Sequence, residues 1–453
     1  MVSTKTMTNK KVWILAGAMI MAAAVVAQQN TDIKGIITKG ERPAIAIPEF
    51  RGSGSAQALM GTFNEVLFRE VQTPGVFKMV PKSMYPLQSP QRPQDIQTGE
   101  RRNGLSLADW SSPPAAANYL AFGYTAEQNG QLVLFGWLYN ANQPDAANAQ
   151  VIGKLYFGTL DEAGARKVAQ EFASDILSQF GATSLVGSKI YFVSTRTGNK
   201  EIWVMDYDGS NQKQLTRYNS ISTMPAVSPD GSKFAFTTFA RGNPSIMIHS
   251  TETNGRLPFY NQRASMNATP SFTPDGQSIL FSSTLSGTAQ LYLAKIDGTD
   301  LKRLSTTRAI EVEPKVNPKT GADLVFVSGR SGPQQIYRMS IDGADVERLT
   351  TGEGEASNPA WNPDGVHIAL AWTRGFEPGN WNIFVMSVPT RDTVQLTHGR
   401  GRNENPSWSP DGRSIAFSTN RSGSTQIWTM LADGTQARQL TTQGQNLMPV
   451  WSK

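Results

Sequence analysis

From about residue 186 onward, short apolar runs alternate with turn clusters, and the same order of runs returns repeatedly. The clearest marker is a proline recurring as Pro225, Pro270, Pro314, Pro359, Pro406 and Pro449, at spacings of 45, 44, 45, 47 and 43 residues. A period of this size is that of one four-stranded propeller blade. In most units the proline is followed by Pro-Asp-Gly (229–231, 274–276, 363–365, 410–412), which suits a type I turn. Next comes a nearly continuous apolar run, such as Phe234-Ala235-Phe236 or Ile415-Ala416-Phe417, as expected of strands covered on both faces. A third run (Ile202 to Met205, Leu291 to Leu293, Ile336 to Met339, Ile383 to Met386, Ile427 to Met430) leads in most units to an Asp-Gly hairpin signal. Gln214-Leu215-Thr216, Arg348-Leu349-Thr350 and their equivalents close each unit.

Counting gives six blades. The first unit begins at Lys189 with its second strand, and the missing first strand stands at the other end as Met448 to Ser452. A ring closed in this way has no exposed edge, whereas an open solenoid would not need the permutation.

The pattern before residue 186 is mixed. Ala44 to Phe50 and Val76 to Val80 read as strands, and Ala56 to Val71 as an amphipathic helix. Residues 87–117, rich in Pro, Gln and Ser, read as a long surface loop. Tyr119 to Ala126, Gln131 to Tyr139 and Val151 to Phe157 read as a meander, and Glu162 to Phe180 as a closing helix. The fold class is therefore an α+β N-terminal domain followed by an all-β six-bladed propeller closed by the C-terminal strand.

Three lysines before residue 12, then the uncharged apolar stretch Val12 to Ala27 and the polar Gln28-Gln29-Asn30, give a basic, hydrophobic and small-residue series. This is the grammar of a secretory leader cleaved after Ala27, since a membrane helix needs about 20 apolar residues. The expected division is 1–27 leader, 28–185 first domain and 186–453 propeller. Removing Lys5, Lys10 and Lys11 lowers the net charge from +6 to +3, which gives no nucleic-acid expectation. Cysteine is absent, excluding disulfides, thiolate metal sites and a cysteine nucleophile.

Catalytic patterns are missing as well. No Gly-x-Ser-x-Gly elbow occurs, and no two histidines among His249, His367 and His398 share a helical i, i+4 spacing. Asp206-x-Asp208-Gly209-x-Asn211 has its glycine in the wrong place for a calcium loop and reads as a hairpin turn. Trp203, Trp361, Trp408, Trp428 and Trp451 recur at equivalent blade positions and read as core packing. The expectation is a chain without cofactor or metal.

Binding residues are sought where the connection from one blade's outer strand reaches the next blade's innermost strand, at the mouth of the channel. There the residues before each aligned proline are Thr223 and Met224, Ala268 and Thr269, Val312 and Glu313, Ser357 and Asn358, Glu404 and Asn405, and Leu447 and Met448. Variable residues on a rigid frame are where specificity sits; the alternative is that they simply turn the chain. A second candidate is the segment from Gln28 to Lys39, with Asp32, Ile33, Ile36 and Ile37, which either adds to a sheet edge of a partner or is disordered.

The repeat Pro-x-x-Ser-Pro-Asp-Gly, an apolar strand, Arg-x-Gly (196–198, 421–423), Ile-Trp/Tyr-x-Met, Asp-Gly and Leu-Thr resembles that of TolB-type propellers. Arg42 to Phe50, and Trp110 ahead of Asn118 to Gly123, resemble the opening motifs of the same family's first domain. Pro318-Lys319-Thr320-Gly321, Thr253-Asn254-Gly255 and Pro389 to Asp392 depart from the repeat. The resemblance implies a periplasmic, non-enzymatic monomer of the Tol-Pal system. It further implies that the propeller mouth receives the peptidoglycan-associated lipoprotein (Pal) and that the N-terminal segment engages TolA, in support of cell division and envelope integrity. The competing reading is a secreted propeller enzyme or glycan-binding module using the channel, with Glu313 and Glu404 as its acidic candidates.

Overall fold

The computed structural model describes residues 42–97, 103–375, 377–399 and 401–453. The leader, the segment bearing Asp32, Ile33, Ile36 and Ile37, and Arg101-Arg102 lie outside them. The described chain forms two compact units, meeting in sequence between Val186 and Gly187.

In the first unit, strands run in the order Lys78–Met79, Ala44–Ala46, Tyr119–Gln128, Gln131–Asn140, Gln150–Thr159. The last three form the antiparallel meander read from the sequence. The expected strand from Ala44 to Phe50 stops at Ala46, and a separate strand Arg51–Ser53 follows, both parallel to Tyr119–Gln128. Pro48 lies in the gap and has no N–H to donate. Beyond it, the Phe50 N–H turns to Asn64 Oδ1 at 2.8 Å.

Helices Met60–Gln72 and Glu162–Ser178 supply one core. Phe63, Val66 and Leu67 of the first and Val168, Phe172 and Ile176 of the second recur at helical spacing and meet Leu132, Leu134 and Tyr156 of the sheet. The second helix starts where Asp161 Oδ1 accepts the Gly164 N–H at 2.8 Å. The first is preceded by a 3-10 turn, Gly54–Leu59, where a continuous helix is expected from Ala56.

The segment expected to be a surface loop builds a second core. It contains the short helix Leu107–Ser111, and Trp110 is fully buried with its Nε1 donating to the Gly104 carbonyl at 2.9 Å. Ile96, Leu107 and Ala115 join Trp110 against Phe122 and Tyr139. Their spacing follows neither a helical nor a strand period because each residue fills its own slot on the sheet.

The second unit is six four-stranded antiparallel sheets. Five are built from consecutive strands. The sixth joins Asn446–Ser452 to Lys189–Ser194, Glu201–Asp206 and Lys213–Gln214, so the ring closes as the permuted repeat requires.

The repeated Leu-Thr has a structural cause. Thr350 Oγ1 donates to Gln335 Oε1 at 2.7 Å and accepts the Ile336 N–H at 2.9 Å, tying the outer strand to the third. Thr216 with Glu201, Ser305 with Gln290, Thr397 with Asn382 and Thr441 with Gln426 repeat the arrangement. The Pro-Asp-Gly turns are closed by bonds such as Gly231 N–H to the Ser228 carbonyl at 2.8 Å. In the longer Pro318 variant, Gly321 N–H reaches the Asn317 carbonyl at 3.0 Å.

Candidate docking channel

The six aligned prolines each interrupt an innermost strand. Thr223 pairs with Thr237 and Ala226 with Ala235, so Met224 and Pro225 together oppose one residue. The same shift occurs at the other five strands. A proline cannot donate to the ladder, and a bulge is the usual accommodation. The residue before each proline takes a left-handed backbone: Met224, Thr269, Glu313, Asn358, Asn405 and Met448 all have φ between 51° and 56°. Such values are uncommon for residues other than glycine and are costliest for β-branched Thr269.

These six converge on the wall of one cavity of about 480 Å³ that extends to the Pro-Asp-Gly turns. The first residue of each expected pair does not line it. Thr223, Ala268, Val312, Ser357, Glu404 and Leu447 instead pair with their blades' second strands, Thr223, Ala268 and Ser357 being buried there. All twelve therefore lie inside the innermost strands rather than in the connections leading to them, because the strand begins before the proline.

Hydrogen bonds link the waist from blade to blade. Thr269 Oγ1 accepts the Glu313 N–H at 3.4 Å, and the Glu313 carboxylate accepts the Asn358 N–H at 2.8 Å and its Nδ2 at 3.1 Å. Asn358 Oδ1 in turn accepts the Asn405 N–H at 3.2 Å. Asn405 Oδ1 accepts the Ser418 hydroxyl at 2.9 Å. On the remaining arc stand the thioethers of Met448 and Met224, with the Thr223 hydroxyl 3.2 Å from the Met448 sulfur.

Two charges of the same strand face this space, Glu313 and Lys315. Burial pushes the Glu313 carboxyl above the usual range, opposed by the Asn358 bonds and by Lys315. Burial pushes the Lys315 ammonium down, opposed by Glu313. Lys315 was not among the residues expected from the sequence; superimposing the six repeats on their prolines would have exposed it. Glu404 is held by Arg402 through two bonds of 2.9 and 3.0 Å.

The tryptophans fall into two registers, not one. Trp361, Trp408 and Trp451 end innermost strands and line the cavity, with Trp361 Nε1 donating to the Lys315 carbonyl and Trp408 Nε1 to the Ala360 carbonyl of the preceding blade. Trp203 and Trp428 belong to third strands, beneath Arg196 and Arg421. His249 lies in the strand Ser245–Ser250, where its Nδ1–H donates to the Asn254 carbonyl at 3.0 Å, leaving Nε2 to accept the Tyr218 hydroxyl at 2.8 Å, and its ring packs against Phe234 and Phe236. His367 bonds Asp364 at 2.6 Å. The Asp206 and Asp208 carboxylates are engaged by Asn211 Nδ2 and the Ser210 N–H within their turn. Among the described residues no group of three or more His, Asp or Glu could hold a metal ion.

Residues 178–371 and 350–453 match the family described as the TolB beta propeller domain. The chain is 31% identical over 247 residues to a protein TolB homolog of Chlorobaculum tepidum, covering 54% of this chain and 52% of that one. It is 34% identical over 162 residues to the Tol-Pal system protein TolB of Desulfosudis oleivorans, covering 34% and 35% respectively. The chain thus spans about half, or less, of the length of such relatives. The crystal structure of TolB from Acinetobacter baumannii shares the fold, with a TM-score of 0.74, 22% identity and coverage of 91% of this chain and 97% of that one. With the family's repeat matched from residue 178 to the last residue and six blades closed into a ring, the chain belongs to the TolB β-propeller family.

Proposed function

We propose that this protein is a non-enzymatic component of a Tol-Pal envelope system. It is exported to the periplasm, loses its leader after Ala27, and works as a monomer with domains 28–185 and 186–453. The propeller channel receives Pal through the second residue of each expected pair, the one immediately before each of the six prolines. The N-terminal segment with Asp32, Ile33, Ile36 and Ile37 engages TolA. Together the two contacts relay between the inner-membrane complex and the outer membrane, supporting its constriction during division and envelope integrity.

The observation that carries this reading is the waist itself. Six residues in a costly backbone conformation face one cavity and are tied together between blades, which makes a surface organised before any partner arrives. Relatives named as Tol-Pal system proteins support the assignment of partners. The second reading, a glycan-binding or catalytic channel, is weakened because Glu404 is paired with Arg402 and does not line the cavity, which leaves Glu313 there without a histidine beside it.

A calorimetric titration of residues 28–453, and of 40–453, with the soluble domain of Pal from the same genome tests the proposal. One-to-one binding is expected, altered by loss of the N-terminal segment if the two surfaces are coupled. Absence of binding by either form, together with saturable binding of a glycan in the channel, would replace this reading by the second.

A further inference from the structure

One position breaks the pattern of the channel wall. The residue after each aligned proline resumes regular pairing with the second strand, and in five blades it is Ala226, Ser271, Ala360, Ser407 or Val450. In the remaining blade it is Lys315, paired with Val325 in the same register. At this ring position small and apolar side chains therefore give way to one long cation, which lines the cavity, as Lys453 does elsewhere on its wall.

The ammonium of Lys315 makes no hydrogen bond or ion pair among the described residues. Its backbone is pinned, because its carbonyl accepts Trp361 Nε1 at 3.0 Å. Glu313 interacts with it electrostatically, but the two Glu313 oxygens already accept the bonds of Asn358, at 2.8, 3.1 and 3.2 Å. Lys315 is partly exposed toward the cavity, so its unused ammonium donors stand within reach of an anionic ligand there. Trp361 and Trp408, with Pro359 and Pro406, give the adjoining wall an apolar character.

We propose that the channel is a carboxylate site, in which Lys315 Nζ donates to the carboxylate while an apolar neighbour of that group packs on Trp361 and the prolines. The carboxylate comes either from a free small molecule or from an acidic side chain of the docked polypeptide. The second source rests on the docking reading above, and the first does not.

The test titrates the whole chain with glutarate, and separately with the soluble Pal domain, using wild type, Lys315→Met and Lys315→Arg. Methionine keeps the length and apolar stem without the charge, and a thermal melt checks that both variants fold. Binding should weaken about tenfold or more in Lys315→Met, the usual worth of a hydrogen bond to a charged group, and persist in Lys315→Arg. That pattern with glutarate identifies a free carboxylate. The same pattern with Pal alone identifies a partner-borne one. Glutarate binding without Pal binding would sustain this site while removing the docking reading. If neither titration depends on residue 315, whether or not Pal binds, the carboxylate site is overturned.

Discussion

Arg421 Nη2 donates to Asn403 Oδ1 at 2.8 Å while its guanidinium lies 5.1 Å from the centre of the Trp428 ring. Arg196 makes the same reach to Asn446 at 3.2 Å over Trp203, and Arg330 reaches Glu311 over Tyr337. The arginine of the Arg-x-Gly turn thus clips the start of the innermost strand and lies over the third strand's aromatic ring. Arg421→Lys should lose the planar fork and the stack, at a cost of about 1–2 kcal/mol in urea unfolding. Arg374, over Trp372 and bonded to the Thr351 carbonyl, should tolerate the same change with less loss.

The outer-strand hydroxyls predict a local effect. Thr350→Val keeps the shape but leaves buried Gln335 Oε1 and the Ile336 N–H without their partner. The expected cost is about 1–3 kcal/mol. Amide exchange at Ile336 should quicken more than at strands of the opposite blades.

His249 gives the propeller a dependence on acid. Burial holds its imidazole below the usual histidine value, and Nε2 is engaged as acceptor by the Tyr218 hydroxyl, so the neutral ring is the folded form. The unfolded chain takes up the proton first, so the contribution of His249 is present above the ordinary imidazole pKa and is lost as pH falls toward the lowered value. Unfolding measured across this window should show wild type converging on His249→Gln at acid pH. A wild-type stability advantage unchanged by pH would remove this account.

The left-handed waist is open to relief. Asn358 and Asn405 already use the residue type that, after glycine, best tolerates this backbone, whereas Met224 does not. Met224→Asn should raise stability by up to about 1 kcal/mol in chemical unfolding. A loss instead would mean that the thioether's packing beside Met448 outweighs the backbone cost.

Trp110 anchors the second core of the first unit. Trp110→Ala should destabilise that unit by about 3–5 kcal/mol, since it opens a hole against Phe122 and frees the Gly104 carbonyl. Residue-resolved exchange should show the loss within residues 42–186, with the blades unaffected.

Legibility along the chain followed the strength of local patterning. The blades could be read because each strand is short, apolar on both faces and flanked by Gly or Pro, and because the pattern occurs six times. The bulge at the aligned prolines could not, since Met224, Thr269, Glu313, Asn358, Asn405 and Met448 share a backbone angle but no side-chain chemistry. Their common cause is the neighbouring proline, which marks the position without revealing that the strand continues through it. For the same reason the sequence pattern places the candidate residues in connections, whereas they lie within strands and only the second of each pair reaches the cavity. The packing role of Ile96, Leu107 and Trp110 is not legible in the sequence, because a core filled by an irregular segment has no period to detect. Lys315 carries no signal of its own in the sequence, because a single lysine in a strand ordinarily faces solvent.

The seam between Asn446–Ser452 and Lys189–Ser194 joins positions 250 residues apart, as the bond from Gln445 to Thr195 records. Until that last strand arrives, Lys189–Ser194 has an unpaired side, and every partly assembled ring presents the same vacant slot. A chain interrupted anywhere before residue 446 would therefore keep an adhesive strand edge on display, which pairing with Asn446–Ser452 covers.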